Sequence, residues 1–355
     1  MMRKNSSRIA RWPLKAGFVL TAWAAALSVP ACAQTSGDTG FDAYVQSLWP
    51  AAEARGVSRA TFDQMTAGLR YNPRVIALDR DNLSSGGGGS NAIPPFAPYK
   101  ARHVDAARIN GGRSVYARLR PLLSQIEGKT GVPGAVMIAI FGHETAYGKV
   151  TGNFDLPESL ATLAYEGRRR SLFEPEFLAT MVMVEQGVPR HVLKGSWAGA
   201  FGYPQFLPSV YLRVAEDGDG DGVARIWSSE ADAIESIGAY LREAGWKAGE
   251  PWGLPVRVPA GMDRGAVETR LHPARCPRVF ARHSRWRSMA EWRAAGVVPE
   301  RGSWPADHVQ ATLLESDGPG RTAYLLTGNY RAILDYNCSN FYALSVGVLA
   351  DEIHR

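Results

Sequence analysis

Apolar side chains recur every three or four residues through most of the chain. In the first such stretch, from about residue 41 to residue 81, they are Phe41, Tyr44, Val45, Leu48, Phe62, Met65 and Leu69. This spacing places the side chains on one face of a helix, where they can be buried together. The pattern therefore predicts a helical segment near the N-terminus.

The same spacing predicts five further helices, whose limits are marked by glycine, proline and capping residues. The first two are a stripe of Val115, Leu119, Leu122, Leu123 and Ile126 that Gly128 ends, and a helix between Pro133 and Gly148. The third contains Phe173, Phe177, Leu178, Met181 and Val184 and ends at Gly187. The last two are a helix opened by a capping box of Ser229 and Asp232, and one from about Asn340 through Tyr342, Val346, Leu349 and Ile353.

The pattern changes after Leu254. Short β-like runs at residues 256–258, 267–271 and 323–326, separated by glycine and proline, predict strands. The fold class that follows is mainly α (α+β), with a small mixed α/β insertion near the C-terminus.

A Gly/Ser/Pro-rich stretch interrupts the helical part. Residues 84–90 read Ser-Ser-Gly-Gly-Gly-Gly-Ser, and three prolines follow by residue 98. This composition is typical of a flexible connection, because no strand and helix of nucleotide-binding type flank it. The expected organisation is a leader (1–33), an N-terminal helical segment (34–83), the linker (84–98), the main helical domain (99–253), the mixed subdomain (254–330) and a C-terminal helix (331–355) that returns to the main domain.

The first 33 residues have the features of an export signal. Five basic residues precede an uncharged apolar run from Ala16 to Val29, and Ala31-Cys32-Ala33 offers a cleavage site. Because cleavage removes five basic and no acidic residues, the formal net charge would fall from +6 to +1, which gives no argument for nucleic acid. We expect a periplasmic protein; the alternative is an outer-membrane lipoprotein acylated at Cys32.

Cleavage of the leader leaves two cysteines, Cys276 and Cys338. In an oxidising compartment they can form one disulfide, which would close a long loop. Two buried free thiols are the alternative.

Glu144 lies at the end of an apolar run that begins at Val136. At helical spacing its neighbours are Met137, Ile140 and Phe141, and the negative end of the helix dipole is close. Both surroundings disfavour the ionised carboxylate, so its pKa should rise. A glycosidase needs such an acid, protonated near neutral pH, to protonate a leaving oxygen. The alternative is an ordinary solvated or salt-bridged glutamate.

Two later segments have the composition of a ligand groove. Residues 195–209 alternate glycine, aromatic and small polar residues without a helical or strand period. Glycines let a ligand approach the backbone, aromatic rings stack on sugars, and Gln205 and Ser209 supply hydrogen bonds. Residues 335–342 open the last helix with amides and two tyrosines. Packing and capping are the alternative roles of the two segments.

Six segments occur in a characteristic order: Gly-His-Glu-Thr-Ala-Tyr-Gly at 142–148, Leu-Ala-Thr-Leu-Ala-Tyr at 160–165, Gly-Arg-Arg-Arg at 167–170, the segment 195–209, Asp-Gly-Asp-Gly-Asp-Gly at 217–222 and Tyr-Asn-Cys-Ser at 336–339. This ordered set resembles the lytic murein transglycosylase B family, from about Phe41 to the C-terminus. The resemblance implies a lysozyme-like helical catalytic domain at 99–253 and an enzyme that cuts peptidoglycan glycan strands.

The resemblance gives Glu144 the position of the family's catalytic acid/base. It places seven residues in the sugar cleft: Ser209, Tyr240, Tyr336, Asn337, Tyr342, Arg168 and Arg169. The expected substrate-binding set is completed by Tyr147, Tyr203 and Gln205.

The number of suitable carboxylates determines the expected mechanism. Ordinary glycosidases use two, whereas only Glu144 has a compelling setting in this sequence. One suffices if Glu144 protonates the oxygen between N-acetylmuramic acid (MurNAc) and N-acetylglucosamine (GlcNAc) and then deprotonates the muramoyl C6 hydroxyl, which closes on C1 as a 1,6-anhydro ring. The expected enzyme is therefore a lyase acting on the MurNAc-β-1,4-GlcNAc bond. The alternatives are a muramidase that uses Asp155 and water, and a peptidoglycan-binding scaffold without turnover.

The Asp-Gly run at 217–222 matches the first half of an EF-hand loop. Position 12 is Ser228, where a bidentate acid is expected, and Glu230 or Asp232 would substitute only in an irregular loop. The family has a calcium-binding version of this loop, so a structural calcium ion and a solvated turn are both expected possibilities. The calcium ligands would be Asp217, Asp219, Asp221 and the carbonyl of Val223. Catalysis itself should need no cofactor.

Other partner classes find little support in the sequence. His143 lacks the second histidine, four residues away, that a metalloprotease motif requires. Residues 282–287 are basic and aromatic but too few to indicate nucleic-acid binding. Beyond the leader, no segment reads as a membrane span. The expected partner is the peptidoglycan glycan strand, and no protein partner is indicated.

Overall fold

The computed structural model describes residues 36–86, 94–269, 273 and 275–355. Its first seven helices are α1 (Ser36–Ser47), α2 (Trp49–Glu53), α3 (Arg59–Thr66), α4 (Pro73–Gly86), α5 (Phe96–His103), α6 (Ala106–Arg118) and α7 (Arg120–Thr130). The next five are α8 (Gly134–Thr145), α9 (Leu156–Glu166), α10 (Arg170–Glu185), α11 (Pro208–Val214) and α12 (Glu230–Glu243). The last four are α13 (Pro277–Phe280), α14 (Met289–Ala294), α15 (Gly328–Tyr336) and α16 (Asn340–His354).

The strands form two antiparallel sheets. The small sheet pairs β1 (Phe154–Asp155) with β2 (Lys194–Gly195). The larger sheet contains β3 (Gly253–Arg257), β4 (Arg287–Ser288), β5 (Val298–Pro299), β6 (Gln310–Glu315) and β7 (Ala323–Leu326), in the order β4-β6-β7-β3-β5. This mainly helical architecture with a small sheet confirms the fold class expected from the sequence.

Helix α8 lies at the centre of the helical part. Every residue from Gly134 to Gly142 is buried, as expected for a helix that is apolar on all sides. It packs against α6, α7, α12 and α16. The larger sheet has its own core, in which Trp292 of α14 is fully buried beside Met289 and Leu313. The carboxyl end of α8 therefore directly follows a fully buried run of the helix.

The stripe from Val115 to Ile126 forms two helices, not the single helix predicted. α6 ends at Arg118 and α7 begins at Arg120, with Pro121 in its first turn. Proline has no N–H to continue the preceding helix, but it fits the first turn of a new one. α7 continues past Gly128 to Thr130 and is capped by Gly131 in the left-handed conformation, at φ 71°.

One strand prediction also needs correction, and one strand was not predicted. Residues 265–267 form a 3₁₀ turn, Glu268 makes only an isolated bridge with Ser284, and residues 270–272 lie outside the described part. The sequence reading also missed β6, which lies between β4 and β7 in the sheet. Its residues Ala311 to Leu314 are all buried, so the strand lacks the alternation of a half-exposed strand.

Some sequence predictions fall partly or wholly outside the described residues. The leader (1–33) does so entirely, and residues 87–93 of the linker do so as well. At the two sides of that gap, α4 extends to Gly86 and α5 includes Pro98. Within the described part, no helix is long and apolar enough to cross a membrane.

Cys276 and Cys338 are joined as a disulfide, with their Cα atoms 5.7 Å apart. The bridge links the start of α13 to the turn between α15 and α16.

Candidate active site

Glu144 lies in the last turn of α8, opposite the first turn of α16. The hydroxyl of Tyr342 in α16 donates a 2.6 Å hydrogen bond to Oε1 of Glu144. Helix α8 ends directly after this residue because Ala146 adopts the left-handed conformation, at φ 49°. Packing between α8 and α16 thus brings an acid and a phenol together from distant parts of the chain.

The electrostatics of Glu144 favour a protonated acid near neutral pH. Burial raises the pKa of Glu144 to about 7, and the hydrogen bond from Tyr342 opposes this by lowering it. Burial, reinforced by the charge of Glu144, raises the pKa of Tyr342 well above its usual value. Tyr342 therefore remains a hydrogen-bond donor at any pH at which the protein would work.

His143 lies beside this pair and remains neutral. Burial, followed by the charge of Arg108, lowers the pKa of His143 to about 3. Its ring lies 5.6 Å from that of Tyr342 and 6.0 Å from that of His103 in α5. Because a neutral imidazole adds no positive charge, it does not stabilise the ionised form of Glu144. The sequence reading considered His143 only as a metal ligand and missed this position.

A group of aromatic rings continues from the acid toward α12. Tyr336 and Tyr240 are in ring contact, with their centroids 4.8 Å apart, and the ring of Phe206 lies within 5.8 Å of both. The hydroxyl of Tyr336 donates to the carbonyl of Pro204 over 2.5 Å, and that of Tyr240 donates to Asp335 over 2.9 Å. These contacts connect the segment 195–209 to the α15–α16 turn, as two walls of one cleft would require.

Ser209 and Gln205 are fixed by their own neighbours. Buried Glu176 of α10 accepts hydrogen bonds from the N–H of Ser209, over 2.9 Å, and from its hydroxyl, over 2.6 Å. The side chain of Gln205 donates to the carbonyls of Gly202 and Thr151, over 2.8 and 3.2 Å. Sequence reasoning missed Glu176, whose only signal was an acid within the apolar stripe of α10.

Tyr203 and Asn337 directly adjoin Pro204 and Tyr336 in the chain. The ring of Tyr203 is 5.5 Å from that of Phe141, and its carbonyl accepts from the hydroxyl of Thr145, the residue after Glu144, over 3.1 Å. Asn337 is exposed and caps the end of α15. The structure thus brings most of the predicted cleft residues around one region.

Three predicted sugar contacts are engaged in other roles. The hydroxyl of Tyr147 donates to the carbonyl of Arg108 over 2.6 Å, and its ring lies against Gly142. The guanidinium groups of Arg168 and Arg169 both pair with the buried carboxylate of Asp79 in α4. A buried charge must be paired, so these arginines fasten the N-terminal helices to the main domain.

Asp155 is occupied by structural contacts. Its Oδ1 accepts the N–H of Glu158 over 3.0 Å, as the N-cap of α9, and also pairs with Arg190 over 2.8 Å. Both contacts use the carboxylate to fix the start of α9 and its link to Arg190.

The acidic loop brings together the three aspartates predicted as calcium ligands. Carboxylate oxygens of Asp217, Asp219 and Asp221 lie within 4.8 Å of one another. Loop N–H groups donate to Asp217, over 2.8 Å from Gly220 and 2.7 Å from Gly222. Three oxygen-bearing groups this close together fit part of the oxygen shell that calcium requires.

The acids that would complete that shell are engaged by protein groups in the described structure. Asp221 pairs with Arg225, and the N–H of Val223 donates to Asp221 over 3.0 Å. Neither proposed substitute for position 12 faces the cluster as a free acid, since Glu230 pairs with Arg118 over 2.6 Å. The buried Asp232 instead accepts the loop N–H of Gly218 over 2.9 Å. Ser229 caps α12 alone, so the expected capping box is only half formed.

Comparison with known proteins identifies close relatives. The family described as the transglycosylase SLT domain matches residues 40–351. The membrane-bound lytic murein transglycosylase B of Escherichia coli (strain K12) is 31% identical over 270 residues, which cover 73% of this chain and 69% of that protein.

Similar solved structures include two from Pseudomonas aeruginosa. SltB3 in complex with NAG-anhNAM-pentapeptide is 35% identical, with a TM-score of 0.77, over 88% of this chain and 79% of that one. SltB1, a soluble lytic transglycosylase, is 26% identical, with a TM-score of 0.71, over 89% of this chain and 98% of that one.

Proposed function

Because the chain belongs to the transglycosylase SLT domain family, we propose that it cleaves the MurNAc-β-1,4-GlcNAc bond of peptidoglycan and leaves 1,6-anhydro-MurNAc ends. The relatives show the general activity: this is an enzyme, a lytic murein transglycosylase. The observation that carries the finer proposal is the partly buried, hydrogen-bonded Glu144, whose pKa is raised by burial to about 7.

Glu144 acts twice in the proposed mechanism. As an acid it gives its proton to the bridging oxygen, so that the bond from C1 of MurNAc to that oxygen breaks and GlcNAc leaves with a hydroxyl. As a carboxylate it then takes the proton of the MurNAc C6 hydroxyl, whose oxygen bonds to C1. A pKa near 7 allows both forms to be reached near neutral pH. The Tyr342 hydroxyl holds the carboxylate in place between the two steps.

The surroundings of Asp155 favour this lyase mechanism over hydrolysis. A muramidase requires a second carboxylate that activates water or attacks the sugar. Asp155 was the sequence candidate, but it caps α9 and pairs with Arg190. With its oxygen engaged in this way, the nucleophile is supplied by the substrate itself.

The proposed sugar contacts are the remaining residues that the family resemblance and the composition of segment 195–209 indicate. They are Tyr203, Gln205, Ser209, Tyr240, Tyr336, Asn337 and Tyr342. Support for a glycan ligand also comes from SltB3, which was solved with NAG-anhNAM-pentapeptide. We assign Arg168, Arg169 and Tyr147 to holding the fold, on the basis of their contacts.

Digestion of purified sacculi by matched variants tests the proposal. Glu144→Gln keeps the size of the side chain and an acceptor for Tyr342 but cannot carry the proton, so it should release no product and still bind sacculi. Asp155→Asn is the control and should keep anhydro products. Reducing ends from the wild type would indicate hydrolysis, and undigested sacculi would indicate the scaffold alternative. Full activity of Glu144→Gln would contradict the assignment.

Two further proposals concern location and metal. We propose export to the periplasm through residues 1–33, with lipid attachment at Cys32 as the alternative; the mass of the mature N-terminus distinguishes the two. We also propose that Asp217, Asp219, Asp221 and the carbonyl of Val223 hold a structural calcium ion. Such an ion would tie the loop to α12 and would take no part in the reaction.

A further inference from the structure

The turn between α15 and α16, which precedes Tyr342, is bonded to one segment of the small subdomain. This segment, residues 275–283, is here called the brace. Arg275 pairs with Asp335 at the end of α15, and the Cys276–Cys338 disulfide follows. The carbonyl of Val279 accepts from the side-chain amide of Asn340 over 3.1 Å. These three contacts of the brace thus fall on the short stretch from Asp335 to Asn340, which precedes Tyr342.

The most deeply buried polar contact of the brace is made by His283, which is 3% exposed. Its Nε2 lies 2.8 Å from Oδ1 of Asn340, and its Nδ1 lies 3.1 Å from Oγ1 of Thr312 in β6. Because Oδ1 can only accept, Nε2 carries the proton and Nδ1 accepts from the threonine hydroxyl. Burial, as the largest cause, lowers the pKa of His283 to about 3, so this neutral tautomer persists.

Asn340 connects this contact to α16, the helix that contains Tyr342. It is the first residue of α16 and lies two positions before Tyr342. Besides His283, the hydroxyl of Tyr330 in α15 donates to its Oδ1 over 3.1 Å. Bonds from three directions therefore fix the first turn of α16, and with it the hydroxyl that donates to Glu144.

We propose that His283 is a positioning residue for the catalytic acid: through Asn340 it orients the first turn of α16, so that Tyr342 holds Glu144 for proton transfer. This inference rests on the proposed role of Glu144. It also assigns a purpose to the small subdomain, which otherwise contributes no residue to the predicted cleft. The subdomain supports the acid through a hydrogen-bonded path from β6 to α16.

The expected signature is a change in the titration of Glu144. The titratable groups that face it from the neighbouring elements are Tyr342 of α16, Tyr336 of α15 and Tyr99 of α5. Of these, only Tyr342 lowers the pKa of Glu144, through its hydrogen bond. If α16 shifts and that bond lengthens, the acid should lose its proton at a higher pH.

The test compares the pH dependence of sacculus digestion in three variants of the full chain. His283→Ala should lower kcat about tenfold with little change in KM. The pH above which kcat falls, here called the alkaline limb, should rise by about half a unit. His283→Gln, which keeps an N–H donor for Asn340, should recover most of kcat. Val256→Ala is the control, because it disturbs the subdomain core from β3, which β7 separates from β6. It should lower the melting temperature and leave the alkaline limb unchanged.

The outcomes separate this inference from the proposed function. If kcat of His283→Ala falls at the same alkaline pH as that of the wild type, the positioning role is overturned. An equal shift of that pH in Val256→Ala would overturn it as well. If His283→Ala fails to fold, Thr312→Val is tested in its place, because it removes the donor to Nδ1 of His283. Its alkaline limb should shift in the same direction by a smaller amount. No shift in Thr312→Val would also overturn the inference. The proposed function fails separately, if wild-type products lack anhydro ends.

Discussion

The hydroxyl of Tyr342 and the carboxyl group of Glu144 are 2.6 Å apart, although 198 residues separate them in sequence. The phenol is a permanent donor at neutral pH, because burial and the nearby acid raise its pKa. Burial raises the pKa of Glu144 and this bond lowers it, and the two effects together give a pKa of about 7. The pair thus controls both the position and the proton affinity of the proposed catalyst.

Removal of the phenol should change the pH dependence of the reaction. In Tyr342→Phe the ionised form of Glu144 loses a donor, so its pKa should rise and the alkaline limb of kcat/KM should move upward by about one pH unit. We also expect kcat to fall about tenfold or more at neutral pH, because the acid is less well held. Rates of sacculus digestion across the pH range measure both effects. An alkaline limb that moves downward would contradict the assigned direction of this hydrogen bond.

Glu144 should also make the protein less stable as the pH rises. Its folded pKa of about 7 lies above the ordinary value of 4.5, so the folded state binds more protons between those values and stability is lost as pH rises through them. Glu144→Gln does not titrate. It should therefore exceed the wild type in free energy of unfolding by about 2 kcal/mol at about pH 8, with a much smaller difference at about pH 4, after allowance for partial solvent exposure. Urea unfolding at the two pH values measures this.

The control for that comparison is Asp155→Asn, since it removes a charge from an acid whose contacts are structural. Asp155→Asn should lower stability through a weaker pair with Arg190 and should not gain stability at high pH. A stability difference between Glu144→Gln and the wild type that is the same at both pH values would show that the acid is not perturbed by burial.

Local sequence was sufficient to predict the setting of Glu144. An apolar run at helical spacing, with a proline before it and glycines after it, favours a buried helix, and an acid at the end of that helix is expected to be poorly hydrated. The hydrogen-bond partners that come from distant segments could not be predicted from the spacing of residues along the chain. The hydrogen bonds from Ser209 to Glu176 and from Tyr342 to Glu144 depend on how whole helices pack.

The same limit explains the sequence predictions that the structure corrects. The resemblance places Arg168 and Arg169 in the sugar cleft, but both pair with Asp79, an acid from a different helix. β6 was missed because a strand buried on both faces has no alternating pattern. The break at Leu119 has a signal in the sequence, because Pro121 lies within the stripe that predicts one helix.

The acidic loop gives a prediction with a simple measurement. If calcium binds Asp217, Asp219 and Asp221, a chelator should lower the melting temperature and added calcium should restore it. Arg225 now pairs with Asp221, so Arg225→Gln should bind calcium more tightly by removing that competing charge. Thermal melts with chelator, calcium and magnesium measure this. Equal melting temperatures with and without chelator would remove the proposed metal.

The most direct test of the central claim follows oxygen through the reaction. Sacculi are digested in water enriched in the heavy oxygen isotope, and the released muropeptides are weighed by mass spectrometry. If the C6 hydroxyl of MurNAc attacks C1 while Glu144 handles the proton, the products have anhydro ends of unlabelled mass, each one water lighter than the reducing form. Reducing ends that contain the heavy isotope would show that water is the nucleophile and would contradict the account.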